Sequence, residues 1–184
     1  DVCSSDLVIA HISRHSPGYE ETHILSCDKD LLQLVTNKVK VLLFSSAKKM
    51  ELVNIDGVIR HFGVYPSEVK YFKALAGDKS DNVAGIAKIG PKTAVKIIEE
   101  SRPKGDDKFL SGADRIAFHP KVKDDAATFY ANLRLVTLEN DVPNLTWFAS
   151  SPPVPLHVET LLESLEFKSM LKRKGKILEV LGCS

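Results

Sequence analysis

The sequence predicts an α/β unit that gives way to a helical region. Three observations carry this. Two short apolar runs, 22–26 and 39–44, flank a helical turn; from Asn54 the apolar residues recur at helical spacing; and Gly or Pro marks most later boundaries. At 184 residues and 43% hydrophobic the chain can bury a core, and 27% charged is ordinary for a globular domain. Its longest apolar runs, 7–10 and 41–44, fall far short of the ~18 residues a membrane span needs. No basic start leads into an apolar stretch and cleavage site, so no signal peptide is expected. Cys3, Cys27 and Cys183 are scattered and odd in number, which argues against a disulfide framework and makes a reducing cytoplasm the expected compartment.

The elements follow in order. Residues 1–6, with Leu7, read as the translation of a sequencing-library adapter and are set aside from fold reasoning; the chain is expected to begin mid-gene. Residues 8–12 read as the end of a helix stopped by Ser16-Pro17-Gly18. Thr22 to Ser26 is a strand, Asp28-Lys29-Asp30 follows its C-terminal end, and 31–35 open a helical turn. A second buried strand covers 39–44. In such a strand–helix–strand edge, sites sit at the C-terminal ends of strands. Ile55 to Phe62 is a helix ending at Gly63. Residues 67–76 form another, with Val69, Phe72 and Leu75 as a narrow apolar stripe, ending at Gly77. Residues 92–100 form a further helix, with Pro91 in a first-turn position. A loop is expected over 101–112, then amphipathic helices over 124–138 and 158–165, separated by the Pro-rich stretch 150–155. The net charge is only +1, but residues 70–104 hold 8 Lys/Arg against 4 Asp/Glu, whereas 139–167 hold 5 acids and no Lys/Arg. One surface is prepared to meet an anion.

Two acidic pairs stand out, Asp28 with Asp30 and Asp78 with Asp81. With 13 aspartates in the chain, chance produces roughly one pair at any fixed spacing, so each needs its context. Both oxygens of a strand-end pair can reach one pocket. Asp78 and Asp81, three apart after Gly77, project from one turn. Four converging carboxylates would call for a divalent cation such as Mg²⁺ or Mn²⁺. The other reading is helix caps and Asx-turns: Asp30 ahead of Leu31-Leu32, and Asp78 or Asp81 with Asn82.

The segment 85–93, Gly-Ile-Ala-Lys-Ile-Gly-Pro-Lys-Thr, nearly matches an NTP-binding loop. Pro91, however, shifts the lysine and removes a backbone N–H from the phosphate cradle, and no strand precedes it. A helix–hairpin–helix fits better. Gly85 opens the turn and Gly90 permits close approach, Lys88 and Lys92 supply charge, Ile86 and Ile89 pack the turn onto its helices, and Thr93 sits in the first turn behind Pro91. Such a unit holds nucleic-acid backbone without reading sequence; a purely structural turn is the alternative. Other signals are set aside. His11 and His15 lack a third zinc ligand, Cys27 reads as a buried strand cysteine, and the basic cluster Lys168, Lys172, Arg173, Lys174, Lys176 reads as a solvated helix end.

Together, 24–34 (Ile-Leu-Ser-Cys-Asp-Lys-Asp-Leu-Leu-Gln-Leu), 76–82 (Ala-Gly-Asp-Lys-Ser-Asp-Asn) and 85–94 resemble the 5′-nuclease family. That family includes phage 5′–3′ exonucleases, flap endonucleases and the 5′-nuclease domain of bacterial DNA polymerase I. The likeness covers about 7–100 and continues weakly to 132–136 and 165–168. It implies the C-terminal edge of a PIN-like (resolvase-like) parallel-sheet nuclease core over 7–53. A helical helix–hairpin–helix (H3TH) DNA-binding region over 54–110 and a helical extension over 111–184 would follow. It further implies a Mg²⁺- or Mn²⁺-dependent hydrolase of DNA phosphodiesters acting at 5′ ends, flaps or nicks as a monomer in a bacterial or phage-infected cell. Asp28, Asp30, Asp78 and Asp81 would hold one ion of a two-metal site, and the hairpin would grip the duplex, with K⁺ on its carbonyls. The family's other acids come from an upstream strand and a Glu-Ala-Asp-Asp run. Leu7 stands where the last of these belongs, and a one-residue slip would put Asp6 there. Without them and the upstream basic arch, the chain is expected to cleave poorly.

Overall fold

The computed structural model describes residues 4–15, 20–45, 49–103 and 110–138, with isolated positions from Thr160 to Lys176. Those isolated positions fall in a second compact unit, Thr146–Ser184, and the elements below all belong to the first, Asp1–Leu145. The expected 158–165 helix and most of the basic cluster at 168–176 lie outside the described residues.

Helix α1 covers Ser4–His15. Strand β1, Thr22–Ser26, runs parallel to β2, Val39–Ser45, with Ile24 opposite Val41. The link between them contains the 3-10 turn Asp30–Leu34, whose Leu31, Leu32 and Leu34 are buried. β2 is the central strand and is buried on both faces: Val41 and Leu43 point one way, Leu42 the other. The sheet has a third strand that the sequence reading missed. β3, Lys49–Val53, pairs antiparallel to β2, with Val41 opposite Val53. Its Lys-Met-Glu-Leu-Val alternation is short and polar, and only pairing with β2 makes it a strand.

The helices then come in the expected order. Asn54 caps α2, Ile55–Phe62, by accepting from the Gly57 N–H at 2.9 Å. A 3-10 turn, Pro66–Glu68, leads into α3, Val69–Ala76. A two-residue ribbon of β4, Gly77–Asp78, and β5, Val83–Ala84, interrupts the path to α4, Pro91–Glu100. Residue 112 does not belong to a loop. Ser111 caps α5, Gly112–Ala117, accepting from the Asp114 N–H at 3.1 Å. α6, Ala126–Val136, packs on α3 and follows a 3-10 turn at Lys123–Asp125.

One hydrophobic core runs through this unit, from Leu31 and Val41 to Leu75, Ile97, Ile116 and Phe129. α3 sits at its middle, against both α4 and α6. Glu68 and Arg102 fix the angle between α3 and α4. Arg102 donates from Nε and Nη2 to the two Glu68 oxygens, each at 2.8 Å, and stacks over the Tyr65 ring at 4.8 Å.

Candidate active site

The local chemistry of the β1 end aims its two acids differently. Ser26 Oγ accepts from the Asp28 N–H at 3.0 Å, and Asp28 Oδ1 accepts from the Asp30 N–H at 2.8 Å. Asp28 is therefore the turn-forming acid, while the Asp30 carboxylate makes no cap and is free to face α3. Cys27 is exposed, not buried as a strand cysteine would be, because β1 has already ended at Ser26.

The second pair is positioned by two glycines. Gly77 has φ +82°, and a Cβ there would lie 2.5 Å from the Gly85 nitrogen; a Cβ on Gly85 would lie 2.4 Å from the Ala76 carbonyl carbon. Only two glycines let the backbones at 76–78 and 83–85 press together, and that contact forms the ribbon holding Asp78. The turn between, with Asn82 at φ 55°, carries Asp81. Asn132 clamps the arrangement from α6: its buried Nδ2 donates to the Ala74 and Ala84 carbonyls at 3.0 and 2.7 Å. Asp78 makes an Asx-turn, with Ser80 and not Asn82. Its Oδ1 accepts from the Ser80 N–H at 2.9 Å and the Ser80 hydroxyl at 2.5 Å.

Asp30, Asp78 and Asp81 converge, each offering an oxygen within 4.8 Å of the others. Asp28 lines the same cavity of about 480 Å³, beside Cys27, Phe62 and Ser80. The residue that sequence reasoning missed is Lys73. Its side chain is 4% exposed, and its Nζ pairs with Asp30, with Asp78 Oδ2 at 2.6 Å and with Asp81 at 3.9 Å. Burial pushes the Asp78 carboxyl up, but the bonds from Lys73 and Ser80 outweigh it and bring it down to about 2. The Asp6 carboxyl, on the first turn of α1, is raised by burial and then by the charges of Asp28 and Asp81.

These residues fit a hard divalent cation. The donors are carboxylate oxygens from two separate segments, and one ammonium does not balance three carboxylates, so negative charge remains at the cavity mouth. The cap reading fails for Asp30, and Asp78 makes its Asx-turn with Ser80 in place of Asn82; Asp28, which that reading did not include, is the acid that accepts a turn N–H.

The 85–93 segment leads from β5 through a tight turn into the first residues of α4. The Ile86 N–H donates to Leu75 O at 2.9 Å and the Ile89 N–H to Ile86 O at 3.0 Å, while both isoleucine side chains are buried. Lys88 holds φ 66° at the exposed tip. Gly90 precedes α4, and a Cβ there would meet nothing within 4 Å. Lys92 is exposed and Thr93 partly so. Among the described residues neither Lys88 nor Lys92 forms an ion pair.

Residues 64–152 match the family described as 5′-3′ exonuclease, C-terminal SAM fold. This chain is a relative of the 5′–3′ exonucleases. It is 34% identical over 180 residues to a 5′-3′ exonuclease of Aquifex aeolicus, covering 94% of this chain and 59% of that protein. It is 32% identical over 161 residues to the thermostable DNA polymerase I of Thermus filiformis, covering 84% of this chain and 19% of the polymerase. Among solved structures, a bacteriophage T5 flap endonuclease in a pseudo-enzyme–product complex with DNA and metal ions aligns with TM-score 0.57 and 22% identity, over 97% of this chain and 60% of that one. A T5 5′-exonuclease with bound zinc aligns with TM-score 0.54 and 20% identity, over 96% and 59%. The structural likeness is one of fold, a mixed α/β arrangement of helices and small sheets. The exonuclease-related chain spans less than two thirds of these relatives. Within it, Lys73, Asp78, Asp81, the 85–93 turn and Asn132 lie inside the matched family segment, and Asp28 and Asp30 precede it.

Proposed function

We propose that this chain is part of a structure-specific 5′–3′ exonuclease or flap endonuclease that hydrolyses DNA phosphodiesters at 5′ ends, flaps or nicks. The observation that carries the reading is the convergence of Asp30, Asp78 and Asp81 within 4.8 Å, with the exposed turn before α4 following Asp81 closely in the chain. Residues 7–53 then belong to a PIN-like core, 54–110 form a DNA-gripping H3TH region and 111–184 a helical extension.

Asp28, Asp30, Asp78 and Asp81 would hold Mg²⁺ or Mn²⁺. Bound there, such ions would supply charge to activate a water and to stabilise a leaving phosphodiester oxygen. Asp28 fixes the β1 end so that Asp30 faces the cavity, and Ser80 orients Asp78. Lys73 keeps the carboxylates gathered. The backbone N–H groups at the turn, open at Gly90, with the exposed Lys88 and Lys92 and with Thr93 behind Pro91, would receive the duplex phosphates and hold register without reading bases. Carbonyls of the same turn are the proposed K⁺ ligands. Because a two-ion centre needs ligands beyond these four acids, low cleavage by the 184-residue chain alone is part of the proposal.

A second reading has its own support. Asp28 and Asp78 serve as turn acceptors and Lys73 pairs with the cluster, so these acids have structural partners without an ion, which a non-catalytic helix–hairpin–helix module would require. Mn²⁺ titration by calorimetry separates the two. Saturable binding weakened by both Asp28→Ala and Asp81→Ala supports the nuclease site; binding indifferent to both supports the module.

A further inference from the structure

A second cavity of about 480 Å³ opens between α1, the residues after the first 3-10 turn, the start of β2, the start of α3 and the end of α6. It is one helical turn from the carboxylate cluster along α3, yet its electrostatics are opposite. Among the described residues Arg14, Lys38 and Lys70 line it, and no Asp or Glu does. Among the described residues none of these three cations has an ion-pair partner; Lys70 only stacks over the Tyr71 ring at 5.3 Å. Burial, and then the nearby Arg14 charge, pull the Lys70 ammonium below its ordinary range, and burial does the same to Arg14. Among the described residues, three cations thus gather with no carboxylate on the cavity wall.

The walls are held in place. Gln33, which lines the cavity, donates from Nε2 to Val136 O at 2.9 Å. Thr36 accepts from Lys38 N and Val39 N at 3.1 and 3.0 Å, and its own N–H donates to Val39 O at 2.9 Å. A site formed before its ligand arrives avoids the ordering cost of binding. Ser67 adds a hydroxyl at the rim, and buried Leu34, Val39 and Leu138 give one apolar wall.

We propose that this cavity binds a phosphate monoester, with Arg14 and Lys70 on the phosphate oxygens and the apolar wall against the organic body. Three cations match a dianion better than a singly charged carboxylate, and a guanidinium fork suits phosphate oxygens. The volume accommodates a mononucleotide-sized ligand. The phosphate is either that of a free nucleotide or a terminal phosphate of a nucleic-acid strand. This proposal does not rest on the nuclease reading, because none of the four acids takes part.

The test is calorimetry on the full 184-residue chain in a chelating buffer, with adenosine 5′-monophosphate and inorganic phosphate as probes. The mononucleotide should bind saturably, with a Kd on the order of 1 mM or tighter, and inorganic phosphate more weakly. Arg14→Ala and Lys70→Met should each weaken binding at least about tenfold. Lys70→Arg should retain it and Asp78→Asn should leave it unchanged. Thermal melts of each variant separate loss of binding from loss of fold. A 5′-phosphorylated strand that displaces the mononucleotide identifies the strand end as the source; one that does not identifies the free nucleotide. Absence of saturable binding by either probe, or binding that survives both Arg14→Ala and Lys70→Met, overturns the assignment.

Discussion

Lys73→Met tests the electrostatic account of the carboxylate cluster most directly. Methionine keeps the length and apolar stem of lysine, whose side chain is 4% exposed, and removes the ammonium that pairs with Asp30 and Asp78. What remains is three carboxylates with oxygens within 4.8 Å of one another. At an effective dielectric of about 20, each like pair at that spacing repels by about 3.5 kcal/mol. Relaxation and water entry reduce the sum, and breaking buried pairs typically costs about 3–5 kcal/mol. In a unit of this size that lowers the melting temperature by about 9–15 °C. A divalent ion should restore what the ammonium supplied. At about 100 times its Kd, Mn²⁺ contributes about 2.7 kcal/mol, and the variant should gain more from a given concentration because no lysine competes. Differential scanning fluorimetry with and without Mn²⁺ reads both effects. An ion-free variant melting within about 2 °C of the parent, or gaining less from Mn²⁺ than the parent does, would refute the reasoning.

Other predictions concern separate parts of the unit. The Asp78 carboxyl is held at about 2, below its ordinary 3.8, so its stabilising contribution is full above the ordinary value and is lost as pH falls towards 2. Acid denaturation of the parent and Asp78→Asn should therefore show a stability gap that narrows between those two pH values. Gly90→Ala should leave the melting temperature unchanged, since its Cβ meets nothing within 4 Å, while weakening duplex binding in a fluorescence-anisotropy titration. Gly85→Ala should instead destabilise by at least about 2 kcal/mol in chemical denaturation, because its Cβ would strike the α3 backbone. Lys92→Ala should lower duplex affinity uniformly across sequences and reduce the salt slope by about one unit.

Much of the path of the chain is legible in the order of its residues. The strand over Thr22–Ser26, the capped α2, the Pro91 start of α4 and the turn between α3 and α4 follow from local rules. Apolar periodicity, a capping Asn and a first-turn Pro act within a few residues, and the sequence displays them directly. β3 is different. Its five residues carry little strand preference of their own, and only β2 supplies the ladder. α5 was hidden because Gly112 reads as a breaker, whereas the Ser111 cap and the Tyr130 hydroxyl, 2.6 Å from Asp114, stabilise the helix from outside it.

The same division runs through the candidate site. The sequence alone marks the two acidic pairs and the Gly-Ile-Ala-Lys-Ile-Gly-Pro-Lys-Thr turn, because acids after a strand and glycines before a helix are local features. It does not reveal which acid turns inward, since that depends on Asp28 accepting from the Asp30 N–H. Nor does it single out Lys73, one of several lysines on short helices and ordinarily a solvated residue. Lys73 becomes a buried partner only because the β1 end and the β4–β5 ribbon, far apart in the chain, are folded against α3. Coulomb interactions act through space, so the charge balance of the cluster was decided by tertiary packing.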